Sequence, residues 1–570
     1  MTRDTEMNAA MNTAFEPGNA EKETFSCITQ DGTISKKELL ARVNAVFDSV
    51  PEYCSPNEIS RAHDELLKLQ KELDEAKKFV ASVTDYPGED YGDEPDFEYI
   101  DCSMDKPYFA LCPLDGRYSQ IAEDLAPYCS EFGLVSYRVE IEVNWLLYQI
   151  KHIHSEVLDS VRKHLSPDEY CQILGISKYF DEDDFLRVKE IESKTKHDVK
   201  AVELFVAENL KEFDLEELVS YVHIGCTSED ITNLSYACML SDVLDDVYYP
   251  EFFNLFDKLL DMASENADVP MLAHTHGQPA TPTTVGKELV VYVHRLAEQF
   301  EVLNSIPIYG KFNGATGNYA AISAAFPEVD DWPAHSKNMI ENFLGLDFNP
   351  VTTQIESHDY TARLLEAIRH INNIIIDFDR DMWMYISMEY FKQVAVKGEV
   401  GSSTMPHKVN PIKFENSEGN LELCNFICMG LSEKLTKSRM QRDLTDSTVQ
   451  RNIGMVFGYS LQGIRETING LKRVSVNKEK LEKDLNDNWE VLGEPIQTVL
   501  RRYGNPEAYN QLKELTRGKR VTADDMQTFI KGLEIPEAAK DALLKLTPAT
   551  YIGLAAQIVR DEIKQYQDEK

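Results

Sequence analysis

A stretch of about thirty residues, 360–390, restricts the possible folds of this chain more than any other segment. Its apolar residues recur at helical spacing and cover most of the circumference of a helix. They are Leu364, Leu365, Ile368, Ile371, Ile374, Ile375, Phe378, Met382 and Ile386. A helix that is apolar nearly all round is predicted to lie in the middle of a bundle, and one bundle seldom covers it completely. Burial against other subunits is therefore expected as well.

The rest of the chain after about residue 107 repeats this helical periodicity. Long patterns of the same kind cover 187–213, 229–265, 283–306, 414–436 and 447–472. Strand signals are few, and long helices without crossover strands indicate an all-α bundle. A chain of 570 residues is also long enough for more than one domain.

The first 106 residues differ from the rest and are predicted to form an N-terminal extension. Residues 1–25 are polar, and this part is predicted to be disordered. The segment Asp31–Leu40 is similar to the second half of a calcium-binding EF-hand loop. Cys27 and Thr29 stand where the first two carboxylates are needed, so a capped helix start is the favoured interpretation.

A heptad pattern at about 57–83 predicts a long helix within this extension. Ser55, Pro56 and Glu58 match a capping box with proline at the first helical position. The apolar seam consists of Ile59, Ala62, Leu66, Leu69, Leu73, Ala76, Val80 and Val83. Such a seam docks on the protein's own oligomer or pairs with another helix, and docking is preferred. The stretch Asp85–Asp101 is acidic, has no Lys or Arg, and is typical of a linker.

The charge and the cysteines limit the partners that the chain is expected to have. A formal net charge of −39 repels nucleic acids and anionic membranes, although a local basic cluster can still bind an anionic substrate. No run approaches the roughly 20 apolar residues that span a bilayer, and the first thirty residues lack a secretory signal. The ten cysteines are scattered without a CxxC pair, which is typical of reduced thiols rather than of a zinc site. A cytoplasmic location is expected.

The segment Gly401–Pro411, GSSTMPHKVNP, has a composition that neither a helix nor a strand favours. It predicts a loop with a base or nucleophile (Ser402 or Ser403), an ammonium group (Lys408) and an amide (Asn410). A surface loop without function explains the same composition equally well. The residues alone leave both interpretations open.

A second polar segment, His274–Pro282, reads HTHGQPATP and predicts a turn just ahead of a helix that begins near Pro282. Two histidines that flank a single residue can bind a metal ion, but no carboxylates at the spacing of metal ligands accompany them. A histidine that transfers protons is the better interpretation.

Four more segments suggest anion binding. Thr227 or Ser228 in CTSED is predicted to cap a long helix, whose N-terminus can hold a carboxylate or phosphate. His197 and Asp198 are predicted in the middle of a helix, where a solvated face is the alternative. The arginines of Ser438–Arg451, and likewise Arg117 with Tyr118, are natural ligands of phosphate and carboxylate.

The glycines Gly310, Gly314 and Gly317 do not form a P-loop and are interpreted as turn residues.

The segment GSSTMPHKVNP resembles the signature loop of the fumarase/aspartase superfamily, whose members eliminate a group β to a carboxylate and release fumarate. The segments HTHGQPATP, CTSEDI, TTQIESHDY, KFENSEGN and QRDLTDST further resemble the bacterial-type branch of the adenylosuccinate lyase family. The resemblance runs from about Cys112 to the C-terminus, roughly four fifths of the chain. The first hundred residues have no recognised counterpart.

The resemblance implies a set of catalytic and binding residues. Ser402 is the expected base and His276 the general acid, with Lys408 at the signature lysine, Glu415 supporting the catalytic histidine, and His197 holding the phosphate or assisting. The expected substrate-binding residues are Arg117, Tyr118, Lys196, His197, Asp198, Thr227, Ser228, Gln354, Asn410, Asn416, Arg442, Ser447, Thr448, Val449, Gln450 and Arg451. Lys196 stands where the bacterial branch usually has Asn, and Gln450 replaces an apolar residue.

The resemblance also implies an architecture. It predicts an all-α, three-domain fumarase/aspartase-type fold with a long central bundle, and a homotetramer with a twenty-helix core whose sites are each built from three subunits. The expected domains after the extension 1–106 are 107–223, 224–474 with the signature loop, and 475–570. Neither a metal nor an organic cofactor is expected, and the partner is a small nucleotide substrate. The succinyl-carboxamide ribotide of purine synthesis is the expected second substrate.

The expected chemistry explains why these groups are needed. Loss of a weakly acidic Cβ proton sends charge into the adjacent carboxylate, so cations and N–H groups must already point at it. Ser402 can act as a base only if positive charge or helix dipoles stabilise its alkoxide. The rival interpretations are a sister lyase such as argininosuccinate lyase or fumarase, a helical scaffold without activity, and a calcium- or partner-binding module in residues 1–106.

Overall fold

The computed structural model describes residues 111–394, 404–405, 407–517 and 521–568. The extension 1–106, with the heptad helix predicted at about 57–83, lies outside the described residues, and so does Ser402. The chain divides into two compact units at residues 99 and 100, and all described residues belong to the second unit.

The first part of the described chain is helical. A 3₁₀ turn, Pro113–Asp115, comes first, and another, Glu216–Tyr221, ends this part. Between them lie α1 (Ser119–Cys129), α2 (Glu131–His152), α3 (Glu156–His164), α4 (Pro167–Lys178), α5 (Glu182–Thr195) and α6 (Asp198–Glu212). Capping boxes start α4 at Ser166 and α5 at Asp181, which explains where these two helices begin.

The middle part contains the long helices and all the described strands. The helices are α7 (Ser228–Val243), α8 (Tyr249–Glu265), α9 (Val285–Asn304), α10 (Ala320–Ala325), α11 (Trp332–Asn338), α12 (Asp359–Ser387), α13 (Ile412–Leu435), α14 (Thr445–Gln450) and α15 (Ile453–Leu471). The strands are β1 (Pro270–Thr275), β2 (Gln278–Thr284), β3 (Tyr309–Gly310), β4 (Asp347–Phe348), β5 (Phe391–Gln393) and β6 (Val474–Val476). Pairs β1–β2 and β5–β6 are antiparallel and pair β3–β4 is parallel.

The last part is a group of short helices around a small apolar core of its own. They are α16 (Lys478–Asn486), a 3₁₀ turn (Trp489–Leu492), α17 (Gly493–Arg502), α18 (Ala508–Thr516), α19 (Ala523–Lys531), α20 (Glu537–Leu544) and α21 (Ala555–Asp568). The exceptions are α16, whose Leu481 joins the core of the long helices, and α21, whose Val559 and Ile563 do the same.

The long helices of the middle part form the bundle that the sequence predicts, and the all-α class is confirmed. Helices α8, α9, α12, α13 and α15 share one core of buried apolar side chains, whose members on α12 include Leu364, Ile368, Ile371 and Phe378. The helical pattern of 229–265 corresponds to one continuous helical segment, because a π-helical turn, Leu244–Tyr248, joins α7 to α8.

Two details of the predicted helices are wrong. The pattern 187–213 is not one helix, since Lys196 takes a left-handed conformation (φ 57°) and His197 is extended. The His197 Nδ1 atom accepts the Lys200 N–H at 3.2 Å and so caps a new helix, which places His197 and Asp198 at a helix start. The pattern 447–472 is likewise divided, between Gln450 and Ile453.

Helix α12 is not apolar all round within one chain, contrary to the prediction. One side is buried in the core, while the opposite side is exposed to solvent and mostly polar. The exposed side carries Arg363, His370, Asn373, Asp377 and Arg380. The polar residues of this segment fall on a single stripe of the helix, which the number of apolar residues alone does not reveal.

Exposed apolar side chains gather instead on α13. Leu423, Phe426 and Met429 are 43%, 68% and 49% exposed, and we call these three residues the α13 face. At Gly419 and Gly430 on the same helix an added Cβ would meet nothing within 4 Å. Apolar residues that share one exposed helix surface mark an interaction site.

Among the described residues, no helix has the length and apolar character needed to cross a membrane. In the same part of the chain, no group of His, Cys, Asp and Glu side chains has an arrangement that would hold a metal ion.

Candidate active site

The start of α7 is fixed by a buried carboxylate. Thr227 is the N-cap residue, as predicted, and its N–H donates to Asp230 Oδ2 at 2.8 Å. Asp230 also accepts the N–H groups of Asn313 (3.0 Å) and Gly314 (3.2 Å) and pairs with the ammonium of Lys311 at 2.9 Å. Asp230 and Lys311 are both fully buried, so the chain around 311–314 is locked against this helix end.

Gly314 and Gly317 are turn residues, as predicted, but the prediction is wrong for Gly310, which lies in strand β3. Gly314 and Gly317 have φ values of 82° and 72°, which favour glycine. An added Cβ at Gly317 would lie 2.3 Å from the carbonyl oxygen of Thr352, so the glycine allows the two loops to approach. The Gln354 amide then donates to Ala315 O at 3.1 Å, which brings the predicted Gln354 to the same place.

Arg442 reaches the start of α7 from the loop that precedes α14. Its Nη2 atom lies 2.7 Å from Glu229 Oε1 and donates to Ser447 Oγ at 3.0 Å. Its Nη1 atom lies 3.5 Å from Gln354 Oε1. Burial raises the pKa of Glu229, and the Arg442 charge opposes that effect. The guanidinium is therefore oriented before any ligand binds.

Asp198, at the start of α6, joins two further arginines. Its Oδ2 atom accepts from Arg138 at 2.9 Å and from Arg451 at 2.8 Å, while Oδ1 accepts the Val199 N–H at 2.9 Å. Burial alone would raise the pKa of Asp198, but these partners together lower it to about 2. Arg451 is 46% exposed and keeps N–H groups available to a ligand.

These residues form one connected group, because Arg138 Nη2 also donates to Thr232 Oγ1 on α7 at 3.4 Å. We call Arg138, Asp198, Glu229, Arg442 and Arg451 the arginine cluster. The predicted binding residues around this cluster are Lys196, His197, Thr227, Ser228, Gln354, Ser447, Thr448, Val449 and Gln450. Lys196, His197 and Thr448 are exposed, and Gln450 is buried.

Tyr118 and Asn416, both predicted to bind substrate, contact each other near the start of α13. Tyr118 Oη donates to Asn416 Oδ1 at 3.3 Å, and Asn416 Nδ2 donates to Glu466 Oε2 at 3.1 Å. Lys413 holds the same Glu466 oxygen at 2.8 Å. Arg117 next to Tyr118 is exposed. Asp115, close to Tyr118 in sequence, lines a cleft together with Arg451 of the arginine cluster.

His276 lies at the tip of the β1–β2 hairpin, and the prediction of a turn directly followed by a helix is wrong here. Thr275 pairs with Gln278, so His276 and Gly277 form a two-residue loop with φ values of 55° and 71°. Positive φ at both positions is typical of a type I′ turn, which matches the twist of the flanking strands. The next helix begins at Val285 rather than near Pro282.

The hairpin also contains a bulge. The pairing passes from Leu272↔Pro282 to His274↔Pro279, so β2 has one residue more than β1 between these points. The base of the hairpin is buried at Met271 and Leu272. His276 at the tip is exposed and makes no hydrogen bond to another described residue.

The other predicted catalytic residues within the described part of the chain are also exposed. Lys408 lies in the described end of the signature segment, where its N–H donates to Met405 O at 3.1 Å. Asn410, two residues later, is half-buried. Glu415 in the first turn of α13 accepts the Trp383 indole N–H at 3.0 Å, and within the described chain it has no hydrogen bond to His276. We call His276, Lys408 and Glu415 the exposed catalytic group.

Sequence reasoning missed several residues that hold the site together. Arg138, Glu229 and Asp230 are buried charged residues, and Asp446 and His358 form a buried pair beside Arg442. Glu229 and Asp230 stand inside the CTSED segment, where two acids at the start of an apolar helix are a usable signal. Nothing in the local sequence marks Arg138, because its partners come from other segments.

Two family models and several named relatives match this chain. The family model described as "Adenylosuccinate lyase C-terminal" matches residues 438–552, and the model described as "Lyase" matches residues 168–425. The adenylosuccinate lyase of Escherichia coli (strain K12) is 48% identical over 456 residues, covering 80% of this chain and 98% of that protein. The adenylosuccinate lyase of Haemophilus influenzae is 50% identical over 451 residues, covering 79% of this chain and 98% of that protein.

Solved structures show the same fold. The 3-carboxy-cis,cis-muconate lactonizing enzyme from Pseudomonas putida superposes with a TM-score of 0.60 at 18% identity, covering 78% of this chain and 97% of that chain. A fumarate lyase from Mesorhizobium sp. BNC1 gives a TM-score of 0.61 at 16% identity, covering 78% of this chain and 97% of that chain. Since the sequence relatives are close to half identical over about four fifths of its length, the chain belongs to the adenylosuccinate lyase family.

Proposed function

We propose that this chain cleaves adenylosuccinate to AMP and fumarate, and SAICAR to AICAR and fumarate, by acid–base β-elimination in purine nucleotide biosynthesis. The observation that carries the proposal is the arginine cluster, in which Arg442 and Arg451 meet the starts of α6 and α7. Helix N-termini and guanidinium groups both favour phosphate and carboxylate, so their convergence suits a nucleotide that carries both.

Ser402 and the exposed catalytic group would together supply the proton transfers. In this proposal Ser402 removes the Cβ proton of the succinyl group, and Lys408 and Asn410 stabilise the charge that develops on the adjacent carboxylate. His276 protonates the departing N6, while Glu415 supports that histidine and His197 holds the phosphate or assists. An exposed side chain on a hydrogen-bonded turn is well suited to this role, because its direction is fixed while its imidazole stays accessible.

The active enzyme in this proposal is a homotetramer with a twenty-helix core and shared active sites. The arginine cluster is assembled from one chain, whereas His276, Lys408 and Glu415 are exposed. A second copy that covers the α13 face would bury the apolar side chains of Leu423, Phe426 and Met429. Each site would then be completed by side chains from neighbouring subunits.

A cytoplasmic location is part of the same proposal. The seven cysteines among the described residues are all free thiols, as expected in a reducing compartment. We also propose domains at 107–223, 224–474 and 475–570, with residues 1–106 as an extension of unassigned role.

The decisive experiment is turnover of adenylosuccinate by the purified full-length chain, with AMP and fumarate both quantified. We expect equimolar products and no fumarate from argininosuccinate or malate offered in parallel. Fumarate from one of those alternatives instead of adenylosuccinate would identify a sister lyase. No fumarate from any of them would favour a helical scaffold without activity.

Mixing two inactive variants tests the shared sites. If His276 and Lys408 of one site come from different subunits, tetramers reassembled from equal amounts of His276→Ala and Lys408→Ala chains regain about one quarter of intact sites by random mixing. Reassembly of each variant alone is the control and should give no recovery. Absence of recovery in mixed tetramers would mean that each subunit supplies both groups to its own site.

A further inference from the structure

A buried histidine at the start of α12 has a strained backbone. His358 is the N-cap residue of α12, is 3% exposed and has φ 60°, in the left-handed region. Its N–H donates to Glu356 Oε2 at 2.7 Å, and Glu356 Oε1 accepts from Asn349 at 2.8 Å. A left-handed residue other than glycine persists only where its surroundings fix it, and such residues cluster at functional sites.

The two ring nitrogens of His358 face two residues of α14. Nδ1 lies 3.2 Å from Gln450 Nε2, and Nε2 lies 3.6 Å from Asp446 Oδ2. Asp446 and Gln450 are four positions apart and therefore share one face of α14. An amide nitrogen offers only hydrogens, so Nδ1 accepts and the ring proton lies on Nε2, toward Asp446.

The contact between His358 and Asp446 is too long to be a hydrogen bond. His358 Nε2 and Asp446 Oδ2 are both buried, and neither has a hydrogen-bond partner. Buried polar atoms are nearly always paired, so two unpaired atoms that face each other require an explanation. A shift of α14 by roughly 0.5 Å would bring them within hydrogen-bond distance.

Asp446 connects this pair to the arginine cluster. Its Oδ1 atom accepts the Ser447 N–H at 2.7 Å and lies 3.9 Å from Arg442 Nη2. The same Nη2 atom is held by Glu229 at 2.7 Å and donates to Ser447 Oγ at 3.0 Å. Without a donor from His358, the buried Asp446 carboxylate would compete with Glu229 for the guanidinium.

We propose that His358 is a positioning residue for nucleotide binding, whose Nε2–H holds Asp446 and thereby keeps Arg442 and Ser447 set for the substrate. The inference rests on the proposed function, because it assigns a nucleotide to the arginine cluster. His358 acts through Asp446 and does not itself touch the reacting atoms.

The test compares two substitutions at His358 in the full-length tetramer. In His358→Asn the new side chain suits the left-handed backbone well but is too short to reach Asp446. In His358→Gln the longer side chain can present an amide N–H to Asp446. We expect His358→Asn to raise the Kd for AMP and the KM for adenylosuccinate roughly tenfold, with little change in kcat. His358→Gln should restore most of the affinity, although its backbone fits less well.

A double-mutant cycle separates positioning from general loss of structure. Asp446→Asn should raise the Kd for AMP by a similar factor, and adding His358→Asn should then change it less than about twofold. His154→Asn is the matched control, since His154 pairs with Asp159 at 3.2 Å on the surface, and it should behave as wild type. If His358→Asn does not fold, Asp446→Asn alone carries the test.

Three results would overturn the inference. They are an unchanged Kd in His358→Asn, equal losses in the Asn and Gln variants, or additive losses in the cycle with Asp446→Asn. Each of these can occur while wild-type turnover is normal, so the failure concerns His358 alone. A wild-type chain that neither binds AMP nor cleaves adenylosuccinate would instead remove the proposed function, and this inference with it.

Discussion

The arginine cluster and the exposed catalytic group differ in how they are assembled. The cluster is built from α2, α6, α7 and the loop around α14, and its carboxylates and guanidiniums already pair within one chain. His276, Lys408 and Glu415 are exposed. The difference is that the arginine cluster is already ordered within one chain, and in the proposed function the exposed groups are brought near it by another copy.

Among the variants that test the two regions one at a time, those of the proton-transfer residues should show the largest effect, and the effect is on kcat. His276→Ala and Ser402→Ala should each lower kcat by about three to four orders of magnitude, because each removes one proton-transfer group. The Kd for AMP and the tetramer should stay as in wild type, since His276 makes no hydrogen bond to another described residue. Steady-state kinetics and calorimetry measure the two quantities.

Ser403→Ala is the matched control for Ser402→Ala, because it removes the neighbouring hydroxyl of the same segment. It should keep kcat near wild type. The proposed role of His276 or of Ser402 would be wrong if the corresponding alanine variant retained a near-wild-type rate.

The next largest effect should come from the α13 face. Phe426→Asp places a charge on an apolar side chain that is 68% exposed in one chain, and symmetry repeats the defect at every copy of the interface. We expect dissociation at micromolar concentration and a loss of activity to about one hundredth, measured by light scattering and turnover.

Leu554 is also 68% exposed but belongs to the last part of the chain, so Leu554→Asp is the control for added charge. It should leave both association and activity intact. A Phe426→Asp chain that stayed tetrameric and active would show that the α13 face is not the interface.

A smaller effect is expected on substrate affinity. Arg442→Met removes an oriented guanidinium and should raise the KM roughly 30-fold, with kcat less affected. It also leaves the buried Glu229 without its partner, which should cost about 3 kcal/mol in the free energy of unfolding.

The double variant Arg442→Met with Glu229→Gln separates these two losses. It should recover most of the stability, because no buried charge remains unpaired, but none of the affinity. Recovery of both would mean that Arg442 is only a structural partner of Glu229.

The smallest expected effect is on the pH dependence of stability. The pKa of Asp198 is lowered to about 2 in the folded chain, so its pairing stabilises the fold above the unfolded pKa near 4. That contribution is lost as the pH falls from about 4 to 2. Because the carboxylate is partly exposed, we expect only about 1 to 2 kcal/mol, measured as the stability difference between wild type and Asp198→Asn. A difference that is constant from pH 6 to about 3 would contradict the pairing.

The sequence predicted the long helices well where apolar periodicity and end signals agree. The pattern 283–306 corresponds to Val285–Asn304, and the pattern 414–436 to Ile412–Leu435. The prediction of one helix over 187–213 failed at Lys196 and His197. The apolar periodicity continues across the break between the two helices, and the N-cap of the second helix is a histidine rather than a usual capping residue. The β1–β2 hairpin was also missed, since HTHGQPATP lacks the apolar alternation of a strand.

The site could be predicted only in part for a similar reason. Motifs identified Arg442 and Arg451, but their carboxylate partners Glu229 and Asp198 depend on which helix ends meet in space. His358 lies within the segment TTQIESHDY, but only the folded chain shows that its ring is buried against Asp446. The roles of Ser402 and Lys408, and the proposed domain boundaries, stay predictions.

The bulge in the β1–β2 hairpin lies between its buried base and its exposed tip. The extra residue of β2 lies between the paired base at Leu272↔Pro282 and the paired tip at Thr275↔Gln278. Deleting Ala280 would restore regular pairing and remove the bend and extra twist of the bulge, so a one-residue deletion there should redirect the tip and do more harm than many substitutions at the base.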